Sequence, residues 1–233
     1  MKRFLLSLAS LAVVVGLPFV LVLFPVRAFM QPWVIPFQYS LPSFPPDVFG
    51  MPAEERLRLG LIGMDSVIGS RGVQVLAEAR FADGQPAFND REISHMQDVR
   101  VVIDWMFPLH TAVALAWLAL TIALAIAPGT RRRAGTALVA GVIATVAGVL
   151  ILAMLGVAAW DVFFTAFHRI FFQGDTWLFL NTDTLIRLYP EVFWFRISLM
   201  IGAITVVLAA LLVLAGLALR ASGRRRAAAA QPA

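Results

Sequence analysis

The chain has 233 residues, 60% of them hydrophobic and 14% charged, with a mean hydropathy of +0.83. This lies outside the range of soluble globular domains and makes the bilayer the solvent. The absence of cysteine excludes disulfides, thiolate metal sites and a cysteine acyl-enzyme. The net charge of +5 is distributed in a way that reports membrane topology rather than a nucleic-acid surface.

Phe4 to Val26 is a predominantly apolar run behind Lys2 and Arg3. As a helix it is about 35 Å long, enough to cross a hydrocarbon core of roughly 30 Å. The run exceeds a signal-peptide core and no A-x-A site follows it, so a retained first transmembrane helix is expected. Further apolar runs at residues 101–127, 134–160 and 194–219 give four spans. Lys2, Arg3, Arg131, Arg132, Arg133, Arg220, Arg224, Arg225 and Arg226 fall on one side, with no acidic residue among them, and the other side carries ten basic and 13 acidic residues. The positive-inside rule places both termini in the cytoplasm. Trp105, Trp160 and Trp194 lie 26 or 27 residues from Arg131, Arg133 and Arg220 and read as an outer aromatic belt.

The expected architecture is an all-α, four-transmembrane-helix bundle with a small extracytoplasmic lid of short helices and a hairpin. Its parts are a first transmembrane helix (1–26), the lid segment (27–94), a second transmembrane helix with a cytoplasmic turn (95–133), a third (134–162), an outer loop (163–193), a fourth (194–220) and a cytoplasmic tail (221–233). Within the lid segment, prolines argue against a regular helix over Met30 to Pro46. Pro52 with Glu54 and Glu55 marks a helix start. Val73 and Val75 alternate with polar residues, and the Asp83-Gly84 turn suggests a short hairpin between Arg80 and Phe88. Two capping-box spacings, Asn89 with Glu92 and Ser94 with Gln97, compete to start the helix that enters the second span. The second would put His95 in the first turn, where the helix end favours a neutral imidazole.

The stretch Phe167 to Pro190, FHRIFFQGDTWLFLNTDTLIRLYP, is polar and aromatic between two apolar segments, and chemistry is expected there. A tight connection at 128–133 makes the second and third spans an antiparallel pair. His95 lies 36 residues before Arg131 and His168 lies 35 after Arg133, so the two histidines reach similar heights. His110 meets only apolar residues at its height and reads as a histidine bonded to a neighbouring helix. Asp98, one turn beyond His95, could orient its ring or be a solvated carboxylate. Arg100, Arg169 and Arg187 could snorkel, bind lipid phosphate or stabilise an oxyanion. Asp104, Asp161, Arg27 and Arg196 fit interfacial ion pairs. No G-x-S-x-G, H-E-x-x-H, P-loop or G-x-G-x-x-G motif is present.

Glu92 to Val99, EISHMQDV, and Phe167 to Phe179, FHRIFFQGDTWLF, the latter continuing through DTLIRLYP at 183–190, resemble the lipoprotein intramolecular transacylase (Lit) family of bacterial membrane proteins. The first span and residues 27–85 match in layout more than in residues. The resemblance implies an acyltransferase that moves the sn-2 acyl chain of a diacylglyceryl lipoprotein to the α-amino group of its N-terminal cysteine, giving a lyso-form lipoprotein. It implies His95 and His168 as the facing catalytic histidines, and the aromatic flank suggests His168 as the primary base. Asp98, Arg169, Asp175 and Arg187 are then supporting residues for orientation, oxyanion or phosphate contact, and Phe167, Phe171, Phe172 and Trp177 contact the acyl chain. This reading needs no metal or cofactor, takes diacylated lipoproteins and membrane lipid as partners and no nucleic acid, and describes a monomer in the bacterial cytoplasmic membrane with its active site on the outer face. Two other classes fit the same residues: a non-catalytic lipid-binding protein, and a haem or metal protein ligated by His95 and His168.

Overall fold

The computed structural model describes residues 1–229, and every regular element among them is helical. In chain order these are α1 (Lys2–Phe29), α2 (Val34–Ser40), α3 (Ala53–Ile68), α4 (Gln74–Glu78), α5 (Asp90–Ile126), α6 (Arg131–Ala158), α7 (Trp160–Phe171), α8 (Thr184–Leu188) and α9 (Glu191–Ala229). Helices α1, α5, α6 and α9 are long and apolar enough to cross a membrane, so the chain is an all-α, multi-pass membrane protein. The last four residues of the 221–233 tail lie outside those described.

The helices contribute to two compact units. The first takes residues 1–26, 108–154 and α9 from Met200. Val13, Leu124, Ala134, Ala137 and Leu138 form one buried cluster there, and Leu17, Leu21, Val142 and Ala209 form another. In lipid no hydrophobic force drives helices together, so close backbone approach has to supply dispersion contacts. Gly135 and Gly216 provide such an approach: a Cβ on Gly216 would stand 3.0 Å from the Gly135 carbonyl oxygen, and a Cβ on Gly135 would run into the Gly216 carbonyl. Two polar side chains of this unit bond across helices to backbone oxygens, the kind of pairing a water-free medium favours. Trp117 Nε1 donates to the Val13 carbonyl at 2.9 Å, and His110 Nε2 lies 3.1 Å from the Val20 carbonyl.

The second unit takes residues 27–107 and 155–199, with α3 packed against α2, α4 and α8. Arg56, only 6% exposed, ties it together. Its Nε donates to the Arg187 carbonyl at 2.9 Å, its Nη1 donates to the Pro45 carbonyl at 2.7 Å, and its guanidinium lies over the Tyr39 and Phe44 rings. Tyr39 donates to the Leu188 carbonyl at 2.8 Å and Tyr189 to the Gly60 carbonyl at 2.6 Å. The Arg56 guanidinium and the Tyr39 hydroxyl thus satisfy two carbonyls of the short helix α8, while Tyr189, just after it, ties the chain back to α3.

Two local expectations are corrected, and a third, the hairpin, is present only in reduced form. Residues 34–40 form α2 despite Pro36, because the proline stands in the first helical turn, where an N–H has no intrahelical acceptor to miss. Val73 and Val75 do not belong to a strand: the chain coils into α4 and buries Leu76. Around Asp83-Gly84 there is a single antiparallel bridge, Arg80 to Pro86, and no strand among the described residues. Pro86 has no N–H to continue a ladder.

Candidate active site

Helix α5 begins at the first of the two competing caps. Asn89 Oδ1 accepts from the N–H groups of Arg91 at 3.0 Å and Glu92 at 3.1 Å, and Glu92 Oε2 accepts from the Asn89 N–H at 2.8 Å. This reciprocal box starts the helix at Asp90 and moves His95 out of its first turn, away from the helix end. The other side of the site is reached through a break at Ala159 (φ −153, ψ 67), after which α7 carries the chain to Phe171 and positions His168.

Helices α5 and α7 each deliver a histidine to one place within the second compact unit. The His95 and His168 rings have centroids 5.9 Å apart and are inclined by 27°, and each residue is 8% exposed. Phe172 touches both, at 5.0 Å from His95 and 5.6 Å from His168. Phe179 lies edge-on to His95 at 5.3 Å, while Phe164 at 4.1 Å and Trp177 at 4.9 Å cover His168. Two imidazoles thus sit side by side among aromatic rings.

Hydrogen bonding sets the two rings apart. His168 Nδ1 lies 2.8 Å from the Phe164 carbonyl. A carbonyl oxygen only accepts, so Nδ1 carries the proton and Nε2 keeps its lone pair, the state of a general base. Burial pushes the His168 imidazole below its ordinary titration range, against the smaller upward pull of that carbonyl. His95 Nδ1 is buried and has no hydrogen-bond partner in the protein.

Of the other expected site residues, Phe172 and Trp177 line the pair, and Phe171 packs at a tilt against the half-exposed Phe167 at 5.0 Å. Phe167 itself touches the His168 ring edge-on at 5.6 Å. Asp98 does not orient His95 through Nδ1; its Oδ2 accepts the Thr176 hydroxyl at 3.1 Å. Arg169 and Asp175 are exposed. Arg187 is engaged elsewhere, its Nε and Nη2 each 3.0 Å from an oxygen of Asp47. That guanidinium holds the Asp47 carboxyl below the usual carboxylate range. Arg100 donates to the Ser66 and Gly69 carbonyls and pairs with Asp104 at 3.5 Å, and Arg27 donates to the Phe107 carbonyl. His110 lies in the first unit, bonded as expected to the neighbouring α1. Among the described residues no group of three or more His, Cys, Asp or Glu could hold a metal ion.

Phe164, four residues before His168 on one helix, belongs to the phenylalanine-rich flank legible in the sequence. Phe179 and Thr176 lie outside helices and have no periodicity to reveal them.

A four-span membrane protein with a buried histidine pair in an aromatic pocket is the class that fold and site define. Residues 11–194 match the family described as lipoprotein intramolecular transacylase Lit. An uncharacterized protein of Aquifex aeolicus (strain VF5) is 30% identical over 211 residues, spanning 91% of this chain and 94% of that one. The in meso structure of the membrane-integral lipoprotein intramolecular transacylase Lit from Bacillus cereus superposes with a TM-score of 0.66 at 18% identity, over 96% of this chain and 99% of that chain. A form of the Bacillus cereus protein with a histidine-to-arginine mutation gives 0.62 at 16% identity, over 97% and 96%. The chain belongs to the Lit family of membrane acyltransferases.

Proposed function

We propose that the protein moves the sn-2 acyl chain of a diacylglyceryl-modified lipoprotein to the α-amino group of its N-terminal cysteine, with His168 as base and His95 as its partner. The observation that carries this reading is the pair of buried imidazoles with centroids 5.9 Å apart, one of them fixed with Nε2 unprotonated. The neutral amine attacks the ester carbonyl carbon, a C–N bond forms, and the carbonyl electron pair moves to oxygen. His168 Nε2 takes the proton from nitrogen. When the tetrahedral intermediate collapses, the C–O bond to glycerol breaks and the glyceryl oxygen receives a proton through His95. The proton lost by nitrogen ends on that oxygen, so amide and alcohol form without net change to the enzyme. Amine and ester belong to one substrate molecule, so orientation supplies much of the rate and no covalent enzyme intermediate is needed. Arg187, being held by Asp47, acts in the support of α8 rather than on the substrate.

The test is the product. Expressed in a bacterium whose lipoproteins are diacylated, the protein should leave the mass of a lipoprotein's N-terminal peptide unchanged. Fragmentation should find one acyl group on nitrogen and a monoacylglyceryl group on sulfur. Gain of an acyl group would indicate a separate phospholipid donor, and loss of one a lipase; either outcome defeats the reading. His95→Asn and His168→Asn should each lower the yield by about 10²- to 10⁴-fold, the usual contribution of proton transfer by a side chain. His110→Asn should keep it.

A further inference from the structure

Glu92, His95 and Asp98 are spaced by three along α5 and share one side of that helix. All three meet the same segment, residues 172–185, which leads from α7 into α8. Glu92 Oε1 accepts the Leu185 N–H at 2.6 Å, His95 meets Phe172 and Phe179 edge-on, and Asp98 Oδ2 accepts the Thr176 hydroxyl at 3.1 Å. Thr176 is adjacent to Trp177, whose ring covers His168 at 4.9 Å with an inclination of 30°. The turn that presents Trp177 is tight: Gly174 takes φ +71, and Trp177 Nε1 donates back to the Gly174 carbonyl at 3.1 Å. Arg91 Nη1 adds a third hydrogen bond from α5, to the Leu178 carbonyl at 2.9 Å.

An imidazole fixed by one hydrogen bond at Nδ1 can still rock about that bond and swing Nε2 away from the reacting amine. A ring laid on its face removes that freedom. We infer that Asp98 and Thr176 are positioning residues for the acyl transfer, seating Trp177 on His168 through the 174–177 turn. Asp98 therefore acts on the base from across the pocket, not on His95 as the carboxylate of a catalytic triad acts on its histidine. The unpartnered Nδ1 of His95 agrees with this division. The inference rests on the acyl-transfer reading above and adds to it two residues that touch no reacting atom.

The experiment uses the purified full chain in detergent with a synthetic diacylglyceryl lipopeptide, and follows the N-acyl product by mass spectrometry. Thr176→Val keeps the shape and removes the hydroxyl; kcat should fall roughly ten- to a hundredfold, the scale of a small misplacement of a catalytic group, with KM little changed. Thr176→Ser should restore kcat to within about threefold, because the hydroxyl returns. Asp98→Asn keeps an oxygen acceptor without the charge and should resemble Thr176→Ser, whereas Asp98→Ala should resemble Thr176→Val. The double variant Asp98→Ala/Thr176→Val should be no worse than either alone, since both remove one bond. Thermal unfolding of each variant checks folding, and the Thr176 pair decides the matter if Asp98→Ala does not fold. A wild-type rate in Thr176→Val overturns the inference, as do additive losses. Asp98→Asn falling as far as Asp98→Ala also overturns it, because the carboxylate charge would then be what matters. If wild-type protein makes no N-acyl product, the transacylase reading itself is wrong. If both histidine variants are dead while Thr176→Val is fully active, only the positioning role is lost.

Discussion

Burial depresses the His168 imidazole, and the direction of the resulting pH response follows from Nε2 being the group that accepts a proton. The base works only when neutral. The substrate's α-amino group, which ordinarily titrates at about 8, must also be neutral to attack, so kcat/KM should fall below that point and then fall more steeply at a second midpoint, the base's, below the ordinary 6.5 of a histidine. A second midpoint at or above 6.5 would mean a solvated ring, and no second midpoint a reaction without this base. Stability should move the same way. Below 6.5 the unfolded chain takes up a proton that the folded one still refuses, so the unfolded state binds more protons and stability declines as pH falls. Matching residue counts from the 128–133 connection pointed to the meeting of His95 and His168, because α5 runs unbroken from His95 to that connection and α6 and α7 cover the return with a single break at Ala159, so helical rise still converts most of the count into height. The role of Asp98 was not readable. A spacing of three places it on the side of His95 but does not say what that side faces, and its partner Thr176 sits in a turn set by Gly174.

At the scale of the element, the strongest single test lies where α3 meets the chain after α8. Gly63 is buried in α3, and a Cβ there would collide with the Tyr189 hydroxyl, which is itself committed to the Gly60 carbonyl at 2.6 Å. Exchanging a helical glycine for alanine ordinarily stabilises by about 1 kcal/mol. Here overpacking costs roughly 1–3 kcal/mol and the displaced hydrogen bond about 1 more, so the clash prevails. Gly63→Ala should lower stability by about 1–3 kcal/mol, measured by thermal unfolding in detergent. Adding Tyr189→Phe should recover part of that loss, because it removes the colliding atom. A stabilised Gly63→Ala protein would show that α3 and Tyr189 are not this close. The four long helices could be read from apolar runs, and α3 from its proline and glutamates. The helices α2 and α4, of seven and five residues, could not. Helices this short are held by tertiary burial, of Ile35 in one case and Leu76 in the other, rather than by any local signal.

For the whole molecule, the structure brings basic residues of different helices to one end of the first unit. Gly223, near the end of α9, stands so close to the start of α6 that a Cβ on it would lie 2.9 Å from the Arg132 nitrogen and 3.3 Å from the Arg131 Cβ. Arg220, Arg224 and Arg225 therefore share a level with Arg131–Arg133, a clustering that no acidic residue of either segment offsets. Lys and Arg near the ends of spans are retained on the cytoplasmic side, so this end should face the cytoplasm, with both termini inside. The native chain has no cysteine, which makes each introduced thiol a single reporter. Asp83→Cys and Thr182→Cys, at exposed positions, should react with a membrane-impermeant thiol reagent in intact cells. Pro128→Cys, exposed in the connection between α5 and α6, should react only after the membrane is opened. Thr130 is a poor reporter because it is buried and its hydroxyl is bonded to the Leu124 carbonyl, so silence there would carry no topological meaning. Labelling of Pro128→Cys in intact cells, or protection of both Asp83→Cys and Thr182→Cys, would reverse the orientation. It would also move the histidine pair, which lies on the Asp83 and Thr182 side of the apolar spans in sequence, to the face where mature lipoproteins are not displayed.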